Sequence, residues 1–557
     1  MIGKRIKHAK RYQEISNACI RNGFSYIIYR LGLTDKSISK KKLEEEENMN
    51  LRTIGVKLRT TLQELGPTFI KLGQIASTRR DLIPEEITNE LEQLQDQVSS
   101  FSFEQVRAII EEELGGTLET LFQDFNREPL ATASIGQVHM AHLPTGEAVA
   151  IKIQRPDITN IVKTDLEILD DLAQLMEAKL SFAKNYPIRK MLEEFSKSLL
   201  AELDYTLEGR NGDRVAKQFL DQPEIRIPKV YWEYSTKKVL TMEYVQGIKV
   251  NHLEELDRQG YDRKLLAERI TNAMLHQILI EGFFHGDPHP GNIHILPNHV
   301  ISFIDFGMVG KLTEEMKYNL ASLVIYLQRS NTRGLIHTFS SMGILPDDTD
   351  MNALYQDIED LQMKYYDIPL SKMSLGGAIN DLFSVCFYHQ IQIPVSFTIL
   401  GKALLTVEGI VENLDPEFSI MTAAQPFGQI LLQNRYHPKT IAKKSWDQLI
   451  EQAEMLSGLP KDLKEITTTI KKGKLRLDIH VTEQQVLLQK LDTIVNRLSF
   501  SIILLSFSIL MVGLIVGSAI AGQTTLLWKI PAIEIGSVVA TLMFIFMIIS
   551  IIKSGRM

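Results

Sequence analysis

The residues of this chain best suited to chemistry lie close together. His285-Gly286-Asp287-Pro288-His289-Pro290-Gly291-Asn292 sets an Asp and an Asn in D-x-x-x-x-N spacing, and Asp305-Phe306-Gly307 follows. Two carboxylates and an amide in that order can hold magnesium against nucleotide phosphates and orient a nucleophile. Magnesium takes hard oxygen ligands and keeps several waters, so one or two carboxylates plus an amide and the nucleotide phosphates suffice to hold it. Each motif alone is weak; their order and spacing together are specific.

Such a site needs a sheet to carry a phosphate-neutralising cation and a loop to cover the nucleotide. Val149-Ala150-Ile151-Lys152 follows the turn-forming Leu143-Pro144-Thr145-Gly146, so it reads as the second strand of a hairpin. It matches the strand from which a protein kinase presents its lysine to the α/β-phosphates. That lysine acts only when a helix glutamate fixes its position. The glycine-rich loop of a kinase is absent. Pro129-Leu130-Ala131-Thr132-Ala133-Ser134-Ile135-Gly136 stands there instead. Alanine reaches positive φ only with strain, so this loop should be stiffer than a glycine flap. It still offers backbone N–H groups and the Ser134 hydroxyl to phosphates.

These residues, with two further motifs, resemble the UbiB (AarF-like) family of atypical, protein-kinase-like proteins. One motif is the K-x-G-Q of Lys71-Leu72-Gly73-Gln74; the other is the E-x-D of Glu202-Leu203-Asp204, with Glu208 just beyond. The alanine-rich loop and His285-Gly286-Asp287-Pro288 also match, and the likeness runs from roughly residue 50 to 420. The resemblance implies an α+β, two-lobed kinase-like fold whose cofactors are ATP and Mg2+. The K-x-G-Q helix would pack over the place of a protein substrate, with Lys71 and Gln74 in a regulatory flap and Lys71 meeting Glu202 and Asp204. Glu208 would pair with Lys152, Asn292 and Asp305 would hold magnesium, and Asp287 would be the catalytic base. Ala131, Thr132, Ala133, Ser134, Gly136 and Lys152 would line the phosphates. The hinge would fall at Thr241-Met242-Glu243-Tyr244-Val245, where the Glu243 carbonyl and the Val245 N–H hold adenine and Met242 is gatekeeper. Read without the resemblance, Glu202, Asp204 and Glu208 would form the solvated face of a helix, within a stretch from Asp165 to Asn211 that shows helical spacing.

Two departures from protein kinases bear on the acceptor. Gly286 stands where an arginine would read a phosphorylated activation loop. No A-P-E follows Asp305-Phe306-Gly307, and a helical pattern opens near Lys311-Leu312-Thr313-Glu314. The segment that shapes a peptide platform is missing, so ATP hydrolysis or transfer to a small or lipid acceptor fits better than phosphorylation of protein in trans.

The C-terminal end points to a bilayer. Residues 500–521 are almost wholly apolar, and 531–552 form a second apolar run carrying only Glu534. A helix of the first run's length spans roughly 33 Å, enough for a hydrocarbon core of about 30 Å. Trp528 and Lys529 lie between the runs as interfacial anchors, and Lys490, Arg497, Lys553 and Arg556 flank them. The positive-inside bias puts both flanks, and the kinase-like body, in the cytoplasm at the cell membrane. Gly513 and Gly517 give a G-x-x-x-G spacing through which a homodimer could form. Near the start, Phe24, Ile27, Ile28 and Leu31 recur at helical spacing beside Arg21 and Arg30. That helix could lie on anionic lipid or pack on the body.

At 557 residues with 44% hydrophobic content the chain can hold several domains, and a net charge of −7 gives no case for nucleic-acid binding. Cys19 and Cys386, far apart, suggest neither metal knuckle nor disulfide framework. The expected organisation is a helical arm (1–50), the helical K-x-G-Q extension (51–125), a small lobe (126–246), a large lobe (247–420), a helical linker (421–497) and a transmembrane hairpin (498–553). Family resemblance implies an ATPase supporting isoprenoid-quinone biosynthesis, ubiquinone or menaquinone, by handling lipid precursors or organising the enzymes. The alternatives are a kinase acting on a small-molecule, lipid or protein acceptor, and a non-catalytic nucleotide-gated lipid-binding scaffold. A flavin or non-haem iron monooxygenase has no support, since neither a Rossmann fingerprint nor a two-His-one-carboxylate pattern is found.

Overall fold

The computed structural model describes residues 8–33, 49–94, 99–179, 188–424 (except 348 and 366–372), 426–427, and separate positions between 498 and 545. The chain divides into two units, residues 1–445 and 446–557.

In the first unit, a small lobe is built on a sheet of β1 (Asp124–Phe125), β2 (Ala131–Thr132), β3 (Gly136–His142), β4 (Ala148–Gln154) and β6 (Val239–Glu243), ordered β1-β3-β4-β6 with β2 also on β3. The expected hairpin joins β3 to β4. Gly146, at φ +98°, closes its turn by donating to the Leu143 carbonyl at 2.8 Å. Alternation along β4 decides its chemistry: Val149, Ile151 and Ile153 are fully buried on one face, so Lys152 points to the other. The helix Phe103–Leu114, started by a capping box of Ser102 and Gln105, covers the apolar face with Val106 and Ile110. By packing, this helix therefore goes with the small-lobe sheet rather than with the K-x-G-Q helix. The helical spacing over Asp165–Asn211 belongs to three helices, Ile158–Lys179, Ile188–Glu202 and Tyr205–Gln218.

The extension begins with the helix Leu51–Leu65, capped by Asn50 accepting from Thr53 N. Gly66, at φ +92°, turns the chain into the flap helix Pro67–Ser77, where Pro67 starts the helix without an orphaned N–H. Behind it, Arg79 forks onto Asp81 through two bonds of 2.9 Å, and Asp81 also accepts from Ile393 N. Arg80 reaches Asn380 at 2.7 Å, tying the extension to the large lobe. The N-terminal helices Ala9–Arg21 and Ser25–Leu31 take the packing option. Tyr12 donates to Asp171, Arg11 pairs with Asp165, and Ile28 and Leu31 are buried.

The large lobe is helical around two small sheets. One has the order β5-β10-β9-β7, from β5 (Ile225–Arg226), β7 (Ile248–Lys249), β9 (Ile293–Leu296) and β10 (Val300–Phe303); the other pairs β8 (Phe283–His285) with β11 (Val309–Lys311). At its core runs the helix Val395–Leu414, burying Leu400, Ala403, Leu404, Val407 and Val411. After Asp305-Phe306-Gly307 the chain enters β11 directly, and Thr313 caps the helix Glu314–Gln328.

In the second unit the described positions are helical, and Ile502, Leu505, Ile509, Val512, Val516, Leu542 and Ile545 among them are exposed. Most of the two apolar runs, residues 428–497 and Gly517 lie outside the described residues. The anticipated transmembrane hairpin, helical linker and G-x-x-x-G contact therefore fall there too. Among the described residues, no helix is long and apolar enough to cross a membrane.

Candidate functional site

Lys152 leaves β4 into the cleft and meets Glu208 with both carboxylate oxygens, at 2.9 and 2.8 Å. Glu208 stands in the first turn of Tyr205–Gln218, a helix held close to its neighbours by two glycines. A Cβ on Gly209 would strike Trp232 and Leu240, and one on Gly212 would touch Phe306. Asn211 donates to the Phe306 carbonyl at 3.0 Å, so the same helix that supplies Glu208 also fixes the residue after Asp305. Asp305 Oδ2 lies 3.6 Å from Lys152. Its backbone sits at φ +61°, a conformation uncommon outside glycine, and its Oδ1 accepts from Gly307 N at 3.1 Å.

One ammonium thus faces two carboxylates, and the titration of the three groups follows. Burial pushes Glu208 up to about 7, against the pull of Lys152 and with the help of neighbouring Asp305. Burial works against the Lys152 charge, yet Asp305 and Glu208 hold it well above its ordinary value. Asp305 stays far below the usual carboxylate range: Lys152, the Gly307 N–H and Lys71 outweigh its desolvation. Glu208 is the carboxylate that yields: Asp305 and Glu202 press against its charge, whereas Asp305 also draws on the Gly307 N–H and Lys71.

The K-x-G-Q motif resolves into three tasks. Lys71 reaches Glu202, at 2.6 Å, where the helix Ile188–Glu202 ends. Gly73 lets the flap helix lie against Leu94 and Leu62, whose methyls leave no room for a Cβ. Gln74 donates to the Leu94 carbonyl at 3.2 Å. Asp204 is not on a helix face: it is an N-cap, accepting from Thr206 N and Oγ1 at 3.1 and 2.6 Å, with Lys237 3.6 Å away.

The alanine-rich loop is a tight turn from β2 to β3. Ala133 N is spent on the Gly136 carbonyl at 2.8 Å, so it is not offered to phosphate. No residue from Ala131 to Gly136 has positive φ, which agrees with a stiff cover. Gly136 is needed for close approach: a Cβ would collide with the Tyr205 hydroxyl and the Ile153 carbonyl. Gly136→Ala should therefore lower stability by about 1–3 kcal/mol, read by thermal unfolding, because a strand carbonyl cannot move aside. The Ser134 and Tyr205 hydroxyls, both buried, have no hydrogen-bond partner among the described residues. Tyr205 lies beside Lys152, whose Nζ is 5.3 Å from its ring centre, and an orphaned donor there fits an anionic ligand.

At the hinge Tyr244 N donates to Ala148 O at 3.0 Å, so the backbone of Glu243 faces away from β4 and its N–H goes to Lys229 O. Met242 lines a small pocket with Val230, Leu240, Glu208, Asp305 and Phe306.

In the catalytic loop His285 is fully enclosed. Its Nδ1 accepts from Asp287 N at 3.1 Å and its Nε2 faces the Ile304 carbonyl at 3.1 Å, so a neutral ring braces the loop. Asn292 Nδ2 donates to the Asp287 carbonyl at 3.1 Å, which turns its amide oxygen outward as a hard ligand. Among the described residues no three His, Cys, Asp or Glu side chains gather as a metal centre. Asn292 and Asp305 fit magnesium only as a site completed by phosphate and water. Sequence reasoning missed Lys402, on Val395–Leu414, whose Nζ is 2.9 Å from Asp287 Oδ1. Desolvation raises the Asp287 pKa, but Lys402 and the nearby histidines hold the carboxyl below its ordinary value.

The chain is similar to known proteins over much of its length. An ABC1 atypical kinase-like domain matches residues 93–339, a UbiB helical domain 358–419, and an ABC1/UbiB kinase-like C-terminal domain 482–553. An uncharacterized Synechocystis protein is 35% identical over 473 residues, covering 84% of this chain and 81% of its own. A probable protein kinase UbiB of Pseudomonas aeruginosa is 36% identical over 416 residues, 74% of this chain and 78% of that one. The chloroplastic protein Activity of bc1 complex kinase 7 of Arabidopsis thaliana is 34% identical over 449 residues, 79% of this chain and 64% of that one. A solved structure, Rv3197 of Mycobacterium tuberculosis with erythromycin, is 24% identical with a TM-score of 0.45, covering 70% of this chain and 98% of that one.

Proposed function

This chain belongs to the ABC1/UbiB family of atypical kinase-like proteins, and on that premise we propose that it is a membrane-anchored, Mg2+-dependent ATPase supporting isoprenoid-quinone biosynthesis. The observation that carries the reading is the cluster of Lys152, Glu208 and Asp305, with Lys71 brought to the same cleft by the flap. A pure scaffold has no chemical need for a buried ammonium shared between two carboxylates, which is costly to enclose.

In this reading Lys152, braced by Glu208, binds the α/β-phosphates, and the Ser134 hydroxyl gains its partner there. Asp305 and the Asn292 amide oxygen hold magnesium, which when bound neutralises charge on the phosphates. Asp287 orients the nucleophile, and the Glu243 carbonyl and Val245 N–H take adenine. The apolar runs 500–521 and 531–552 anchor the protein, with Gly513 and Gly517 available for pairing two copies.

Lys71 competes with magnesium for the field of Asp305 while its tie to Glu202 holds the flap down. Nucleotide or lipid binding that frees the flap would expose a surface for a hydrophobic quinone precursor or for partner enzymes. Lys71→Ala should therefore raise magnesium affinity and basal ATP turnover several-fold and alter quinone content in cells. If it changes neither turnover nor quinone content, the flap is not the regulator.

The kinase reading is favoured by the name of the Pseudomonas relative, a probable protein kinase. Direct entry of the chain into β11 after Gly307 leaves little for a peptide platform, so a small or lipid acceptor is the form of kinase that fits.

A further inference from the structure

We propose that Lys402, reaching the catalytic loop from the large-lobe helix Val395–Leu414, contacts the phosphoryl group being transferred from ATP, from the same position in which it pairs with Asp287. The proposal rests on the nucleotide reading above and names a cation at the reacting end.

The catalytic loop brings no fixed positive charge of its own. Between Asp287 and Asn292 stand Pro288, His289, Pro290 and Gly291, and the His289 Nδ1 is engaged by Gly291 N at 3.0 Å. Gly286, where an arginine would stand, has no space for any side chain: its Cβ would meet Ile399 Cγ2 at 2.9 Å and Met308 Cγ at 3.0 Å. Ile399 lies one helical turn before Lys402, so the contact that excludes a side chain at Gly286 also sets the reach of Lys402. The helix thus replaces the loop as the source of charge. Lys402 Nζ, 2.9 Å from Asp287 Oδ1, has a side chain 27% exposed and Asp287 one 33% exposed, so the pair opens to solvent rather than closing a core. An ammonium carries three donors, and the 2.9 Å bond to Asp287 occupies one. The others are available to oxygens of a group held beside Asp287.

In the step this implies, the nucleophile oxygen bonds to the γ-phosphorus as the bond from phosphorus to the β-bridging oxygen breaks, its electron pair leaving on ADP. The nucleophile's proton passes to Asp287 and then to solvent. Lys402 exchanges no proton; it stabilises charge on the moving phosphoryl oxygens.

The test compares Mg-ATP with Mg-ADP binding, by calorimetry on the full chain in detergent, for wild type, Lys402→Met and Lys402→Arg. Lys402→Met should weaken ATP by about 10–100-fold and leave ADP unchanged, since ADP lacks the group contacted. Lys402→Arg should keep the preference for ATP. If Lys402→Met weakens both nucleotides equally or neither, Lys402 is only a structural partner of Asp287 and the proposal is overturned. If Lys402→Met does not fold, as judged by thermal unfolding, loss of ATP preference in Lys402→Arg overturns it instead. Wild type that binds neither nucleotide would overturn the nucleotide reading itself.

Discussion

Asp305→Asn should reduce magnesium-dependent ATP turnover by about 10²–10³-fold while leaving the fold intact. The substitution suits the site for three physical reasons. Asparagine tolerates the left-handed backbone that Asp305 adopts at φ +61°. Its amide oxygen can still accept from Gly307 N, as Oδ1 does now. Lys152 keeps its bidentate partner in Glu208. What is lost is the anionic oxygen, and magnesium binds a neutral amide far less well than a carboxylate. With Asp305 neutral, the influence that helps raise Glu208 is also removed, so the Lys152–Glu208 pair should tighten and the melting temperature should hold. Unchanged turnover in folded Asp305→Asn would mean that the metal is held elsewhere.

Lys152→Met should be the most destabilising change in the cleft, and its effect should depend on pH. It leaves Glu208 buried without a cation, an arrangement that costs about 3–5 kcal/mol when the carboxylate is charged. A carboxyl raised in the folded state escapes that cost by keeping its proton. Glu208 stands near 7 in the folded protein and near 4.5 when unfolded. Its proton is therefore held by the folded state alone between those values, and the stability this gives is present below 4.5 and lost as pH rises through 7. Removing Lys152 takes away the pull that lowers Glu208, so the loss moves to higher pH. Denaturant titrations of Lys152→Met should show stability falling by up to about 1.4 kcal/mol per pH unit above neutrality. The double variant Lys152→Met/Glu208→Gln should remove that slope. A flat pH profile in the single variant would contradict the shared-cation account.

Much of this site was legible in the sequence because its parts are local. Val149-Ala150-Ile151-Lys152 alternates, so burying Val149 and Ile151 forces Lys152 to the cleft face. Leu143-Pro144-Thr145-Gly146 closes the hairpin with the glycine where positive φ is required. The K-x-G-Q spacing places Lys71 one helical turn from Gln74, and Gly73 between them marks where another segment comes too close for a side chain. What escaped depends on tertiary contact between segments distant in sequence. Lys402 lies in an apolar helix pattern in which one lysine reads as a surface residue; only the packing of Ile399 on Gly286 turns it toward Asp287. The Arg79–Asp81 fork, buried against Ile393, looks in sequence like two neighbouring surface charges. The capping role of Asp204 is hidden for the opposite reason: its residue type favours caps as strongly as solvated helix faces, and the break at Leu203 leaves no mark in the apolar periodicity.

The central claim is that this cleft hydrolyses ATP in response to a lipid. The most direct measurement follows γ-labelled ATP with the full chain in liposomes, with and without a quinone precursor, beside Asp305→Asn. The account predicts label released as free phosphate, faster with the precursor and absent in the variant. Label appearing on a lipid or protein acceptor, or tight nucleotide binding with no release under either condition, would contradict it.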